Sequence, residues 1–464
     1  MIELLRLCGF EAQDIESQLP RMEKTFNRLG ITAEDIERGK QRLNKYYDME
    51  LKGIRKIFRA YLRELANLIL AREEGKKKII YGGVGPGVDI IGTAIVSKSK
   101  EVCVVYPDHL CRTVLGLIFG KFVPVLEAAE AQWLKSGKVA HCAEVKTRLG
   151  ILALNLFPRP DLMITSGCIC DTNPKTNDLA QELYGIPTYY YETCRDAESG
   201  NPSDLKRAVA LGGKGLRRLT QKLEEAVGFE ITDDMILEAM HAKSKLADAI
   251  AQVRDLVENS DPLPLSATHQ VLWHYLRGRI MSVDEVQKEP LDAVNTLYAE
   301  LQERVNKGIG IVEKGAPRIL ATMPNAPSSP ELEHLVGEVG MALVAAESGL
   351  YLPDGSLRPD MGELSDPYER MWGYLYGSTA VSLRDRIAIF IGTCKRLHVE
   401  GVLGRYHTGC RTVAGDALIL KSAIAKELGI PILLLEWEAF DPRAYNHEQY
   451  KQRLELFKLM MRPL

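Results

Sequence analysis

The feature that most constrains this chain is a repeated unit. Residues 160–171 read PDLMITSGCICD and lead through a helical stretch to ELYGIPTYYYE at 182–192. Residues 399–410 read VEGVLGRYHTGC and lead in the same way to ELGIPILLLEWE at 427–438. Each copy is a strand, a cysteine at the strand's end, a helix, a Gly-Ile-Pro turn and a second strand. Gly185 and Gly429 supply the left-handed residue that closes a helix. Pro187 and Pro431 open the next strand, where a missing N–H is tolerated. A strand–helix–strand crossover is right-handed. Two matched units therefore predict two similar α/β domains facing each other.

The rest of the chain is consistent with that frame. Short β-rich runs at Lys78–Tyr81, Val102–Tyr106, Leu162–Thr165 and Thr188–Glu192 alternate with helical segments, which signals a parallel sheet. A second such region holds runs at Arg318–Thr322, Met341–Ala345, Gly401–Arg405 and Pro431–Glu436. Between them the strand signal disappears, and amphipathic helices take over, broken by DPLPLS near residue 262. The predicted fold class is α/β with two parallel-sheet domains. Residues 1–76 form a helical arm for packing or dimerisation, 77–230 the first α/β domain, 231–315 a helical segment and 316–464 the second α/β domain. In the arm, Thr32 with Asp35 reads as a helix start and helical spacing runs on to Arg72.

Composition narrows the function. A net charge of -3 implies no polyanion-binding surface, so no nucleic-acid partner is expected. No apolar run approaches the ~20 residues that span a bilayer. The opening stretch MIELLRLCGFEAQDIESQL lacks a signal-peptide pattern, so a cytoplasmic protein without membrane partners is expected.

The nine cysteines are an odd count that does not suit a disulfide framework. Ligand sites in open α/β sheets lie beyond the carboxyl ends of the strands. Cys111, Cys168, Cys170, Cys194 and Cys410 each come after a strand, and Cys142 opens a helix, where backbone N–H groups favour a thiolate. Cys8, Cys103 and Cys394 fail that test and read as core packing. No Cys-x-x-Cys pair occurs, so a zinc ribbon or thioredoxin-type site is disfavoured. A scattered set that converges only in the fold fits an iron–sulfur cluster between domains. Three cysteines hold one four-iron cubane with an open iron. Six hold two, and a sulfide bridging the open irons makes a double cubane.

The stretches HCAEVKTRLG, PDLMITSGCICD and GVLGRYHTGCRTVAGDALILKSAIAKELGIPILLLEWEAFDP, with the closing HEQYKQRLELFKLM, resemble the 2-hydroxyacyl-CoA dehydratase family, which includes benzoyl-CoA reductase subunits. The resemblance covers the chain from about residue 78 onward. It implies two Rossmann-like domains holding an iron–sulfur cluster on Cys142, Cys170 and Cys410. The additional Cys111, Cys168 and Cys194, together with the long arm, are similar to the double-cubane cluster proteins of that family. That branch implies a homodimer that reduces small molecules with electrons from a separate ATP-hydrolysing iron–sulfur reductase. The alternatives are a dehydratase subunit with a single [4Fe-4S] cluster, or a non-catalytic electron carrier or zinc-bound scaffold.

His109, His141 and His407 stand beside these cysteines, and His407 is the first candidate for a proton donor. Arg405 is a candidate to neutralise cluster charge, with a surface ion pair as the alternative. The run Gly82-Gly83-Val84-Gly85-Pro86-Gly87 comes after a strand but does not match G-x-G-x-x-G, and the residues beyond it do not read as a helix. It reads as a tight turn beside a buried cofactor. Lys214 lacks P-loop spacing, so ATP use is expected of a partner.

Overall fold

The computed structural model describes residues 1–83, 85, 87–136, 142–168, 170, 172–192, 201–278, 280–322, 329–347, 364–379, 382–406, 410–438 and 440–461. The first sheet holds β1 (Lys78–Gly82), β2 (Val102–Val105), β3 (Leu162–Ser166) and β4 (Thr188–Tyr191). The second holds β5 (Arg318–Ala321), β6 (Ala342–Ala346), β7 (Gly401–Tyr406) and β8 (Ile432–Glu436). Each end lies within one residue of the sequence expectation. The orders are β2-β1-β3-β4 and β6-β5-β7-β8, and every pairing is parallel. Both sheets thus share one topology, as the repeat implies. In each, the connection reverses direction between two central neighbours, β1/β3 and β5/β7. That reversal opens a crevice at the carboxyl ends of those strands.

Strand alternation decides what each sheet faces. Ile79, Tyr81 and Met163 of the first sheet and Leu320, Val344 and Val402 of the second enter one common core. Ile80 and Ile164 face a separate core under the first sheet, and Ile319 and Leu403 another under the second. The two sheets are therefore backed onto a shared apolar centre. The N-terminal helices contribute Leu4, Phe26, Ile57 and Leu65 to that same centre.

Thr32 closes a capping box with Asp35: its hydroxyl accepts the Asp35 N–H at 3.2 Å, and the Asp35 carboxylate accepts the Thr32 N–H at 2.9 Å. The helix beyond is not continuous to Arg72. It divides into Ala33–Tyr46 and Lys52–Ile69 because Asp48 leaves the helical path to accept from the Ser266 N–H at 3.1 Å and Arg304 at 3.2 Å. Helix Lys52–Ile69 then lies against helix Pro290–Asn306, so closely that a Cβ at Gly53 would sit 2.4 Å from that of Leu297.

Two further expectations change. A helix, Val88–Lys98, does come after the glycine run, starting behind Gly87 at φ +86°. Val88, Ile90, Ile91, Ala94 and Ile95 are all buried, so the amphipathic period that marks a surface helix is absent. Helix Pro367–Thr379, second-domain by sequence, packs on the first domain: Trp372 lies over Gly212, and Arg217 pairs with Asp366 at 2.6 Å. No helix among the described residues is long and apolar enough to cross a membrane.

Candidate functional site

The cysteines are placed by helix starts. Cys142 is the N-cap of helix Ala143–Ala153, and Cys410 that of helix Arg411–Leu428. Cys170 stands two residues before Thr172, the first residue of helix Thr172–Tyr184. Cys170 lies beyond β3 and Cys410 beyond β7, so both sit at the crevice of their own sheet. Cys142 is buried, while Cys170 and Cys410 are partly exposed.

Groups from both halves of the chain act on Cys142. Burial pushes the Cys142 thiol up, and the nearby Cys170, Glu438 and Cys410 push it further, while the Val145 backbone N–H pulls it down. The Cys170 sulfur lies 2.9 Å from the Thr172 hydroxyl. None of the eight described cysteines forms a disulfide.

This donor set suits an iron–sulfur cluster. Each of the three thiols stands at or just before a helix N-terminus, whose N–H groups and dipoles favour anionic sulfur. Among the described residues no three His, Cys, Asp or Glu side chains converge at single-ion spacing. A cubane takes each thiolate on a different iron and needs no such common point. The raised Cys142 pKa adds that loading must displace a proton.

The remaining cysteines have different surroundings. Cys168, two residues before Cys170, is buried in the core beneath the first sheet with Tyr191, and its N–H donates to the Ser166 hydroxyl at 3.2 Å. Cys111 ends the helix Pro107–Cys111 and is fully buried in the shared core. Burial, then Asp108, push its thiol up, against Arg112. Cys8, Cys103 and Cys394 lie in or against that core, with burial raising Cys103 and Cys394 to about 12. Cys194, His141 and His407 lie outside the described residues.

Several charged residues at the site escaped sequence reasoning. Arg112 opens a π-helical turn, Arg112–Ile118, a geometry that recurs at functional sites. It is fully buried, pairs with Glu144 and sets its guanidinium 4.8 Å from the Phe440 ring centroid. A first-domain cation thereby reaches the loop beyond β8 that carries Glu438. His109 Nε2 is 3.6 Å from Glu144, and its ring stacks on Tyr106. Arg148, one helical turn beyond Glu144, pairs with Asp108. The available signal was the pair Glu144 and Arg148, one helical turn apart at the start of the stretch AEVKTRLGILA. Arg405 is not in a surface ion pair: it is fully buried and pairs with the equally buried Glu333 at 2.6 Å.

Residues 103–461 match the family described as 2-hydroxyglutaryl-CoA dehydratase, D-component. That range is most of the chain, and the chain belongs to this family. The match begins at residue 103 rather than near 78, leaving the arm and β1 outside it. A benzoyl-CoA reductase subunit of Thauera aromatica is 22% identical over 339 residues, covering 69% of this chain and 76% of the relative. The (R)-2-hydroxyglutaryl-CoA dehydratase subunit alpha of Acidaminococcus fermentans is 22% identical over 306 residues, 64% of this chain and 60% of its own length. The (R)-phenyllactyl-CoA dehydratase alpha subunit of Clostridium sporogenes is 21% identical over 376 residues, 78% of this chain and 85% of that one.

Proposed function

We propose that this chain is the iron–sulfur catalytic component of a reductase system, reducing small molecules with electrons from a separate ATP-hydrolysing iron–sulfur reductase. The observation that supports the reading is that Cys142, Cys170 and Cys410, from both halves of the chain, each stand at or just before a helix start. These three would hold the first cubane, and Cys111, Cys168 and Cys194 would hold a second, giving a double cubane. When bound, such a cluster supplies electrons at low potential. The chain's own residues do the rest. The three helix N-termini stabilise the thiolates, the buried Arg112 offsets negative charge, and the His407 imidazole delivers protons. The working protein is a cytoplasmic homodimer.

A second reading is favoured by a specific observation. Cys111 lies wholly within the apolar core, and Cys168 is buried in the other core, beneath the first sheet. On that reading the chain is a dehydratase subunit, as the names of two relatives suggest, and the first three cysteines would hold a single [4Fe-4S] cluster.

Iron and acid-labile sulfide counts on anaerobically purified protein separate the two. About eight irons per chain support the double cubane, and about four the single cluster. Zinc with negligible iron overturns both.

A further inference from the structure

Three of the elements that carry cysteines at the candidate site are tied together by one buried side chain. Arg148 lies on the helix capped by Cys142, and its side chain is 2% exposed. Its Nη1 donates to the Asn173 side-chain oxygen at 3.1 Å and to that of Asn177. Both asparagines are buried on the helix that comes after Cys170. Its Nη2 donates to the carboxylate of Asp108, also buried, on the short helix that ends in Cys111. One planar guanidinium thus ties its own helix to two others by direct bonds, and each bonded residue lies within seven residues of a cysteine in sequence. A lysine has no such fork: it presents a single point of charge and cannot reproduce the geometry.

Gly83 of the glycine run has its cause in the same place. The Gly83 N–H donates to the Ile164 carbonyl at 2.8 Å, bridging the ends of β1 and β3. A Cβ at Gly83 would meet that carbonyl at 2.8 Å, Asn173 Nδ2 at 3.0 Å and Arg148 Nη1 at 3.1 Å. The backbone passes directly over the arginine network, and only glycine leaves room for it.

We propose that Arg148 is a positioning residue that sets the mutual spacing of Cys142, Cys170 and Cys111 through Asp108, Asn173 and Asn177. The proposal rests on the iron–sulfur reading above. Partners that orient ligands without touching the metal set how well a site holds it, and losing one typically costs about 10-fold or more in metal affinity.

The test compares iron-loaded wild type with Arg148→Lys, Arg148→Met, Asp108→Asn and Gly83→Ala. Leu246→Ala serves as a control, since it destabilises the shared core away from this network. Three readouts are taken: the thermal midpoint of the metal-free chain, the rate of iron loss to a chelator, and the electron paramagnetic resonance spectrum after reduction. Arg148→Lys and Arg148→Met should lose iron at least about 10-fold faster and show altered g-values. Asp108→Asn and Gly83→Ala should shift both in the same direction, and Leu246→Ala should lower only the thermal midpoint. If Arg148→Met does not fold, Arg148→Lys and Asp108→Asn carry the test. Arg148 and Asp108 variants with wild-type iron loss and spectra overturn the positioning role alone. A Leu246→Ala protein with the same defects reduces it to general stability and also overturns it. A wild-type chain that takes up no iron overturns the iron–sulfur reading itself.

Discussion

Arg405 donates to Glu333 at 2.6 Å, and the two side chains are 1% and 0% exposed. Arg405 Nε also donates to the Thr322 carbonyl at 3.0 Å, and the guanidinium lies 4.5 Å from the Trp437 ring centroid. The pair therefore joins the ends of β5, β7 and β8 to helix Glu331–Glu338 just before Cys410. Burial pushes Glu333 up and Arg405 down. Both shifts show the desolvation that their contact must offset. Arg405→Met leaves a buried carboxylate alone and should destabilise the protein by about 3–5 kcal/mol. Adding Glu333→Leu should recover most of that loss. Urea unfolding of the two variants checks the prediction.

Glu130 links the halves near the site. It accepts from Lys146, four residues beyond Cys142, at 3.0 Å and from Arg443 of the second half at 2.7 Å. The Arg443 hydrogen bond is the main cause that holds its pKa down at about 2. A depressed carboxylate contributes stability above its unfolded pKa and loses it as pH falls through the folded one. The contribution of Glu130 should therefore be complete at pH 6 and fade from about pH 4.5 towards 2. Because the pair is partly exposed, about 1 kcal/mol or less is at stake. Thermal midpoints of wild type and Glu130→Gln should differ at pH 6 and draw together towards pH 3. A gap that stays constant with pH would show that Glu130 ionisation does not contribute.

The contact between Gly53 and Leu297 has no slack. Gly53→Ala forces helices Lys52–Ile69 and Pro290–Asn306 apart and should cost about 1–3 kcal/mol, despite the better helix propensity of alanine. Denaturant midpoints measure it. An unchanged or raised midpoint would show that the arm docks differently.

Iron content should sort the cysteines. Cys142→Ala, Cys170→Ala and Cys410→Ala should each lose most of the iron. Cys103→Ala and Cys394→Ala, which alter core packing, should keep it. Cys111→Ala, Cys168→Ala and Cys194→Ala decide between the two functional readings. A fall to about half supports two cubanes, and unchanged iron supports one. Iron and sulfide assays on anaerobically purified variants give the answer.

Much of the architecture was legible because it is written locally. Strand runs, Gly185 and Gly429 at positive φ, and the capping box at Thr32 all depend on neighbours a few residues away. Cys142 was readable as a helix start for the same reason. Helix Val88–Lys98 was not, because burial on every side erases amphipathic periodicity. The break at Asp48 was not, because its cause lies at Ser266 and Arg304, more than two hundred residues away. Arg148 carries no local mark of its role, because its partners lie on two other helices.

By itself, the sequence determined that two strand–cysteine–helix–strand units exist, that each forms a parallel sheet, and in what order the cysteines come. Those are consequences of side-chain period and turn chemistry within short stretches. The tertiary structure decided what surrounds each cysteine. Both sheets dock on one apolar core, which encloses Cys111, while Cys170 and Cys410 stay partly exposed. That docking is a property of surfaces assembled from the whole chain rather than of any short stretch.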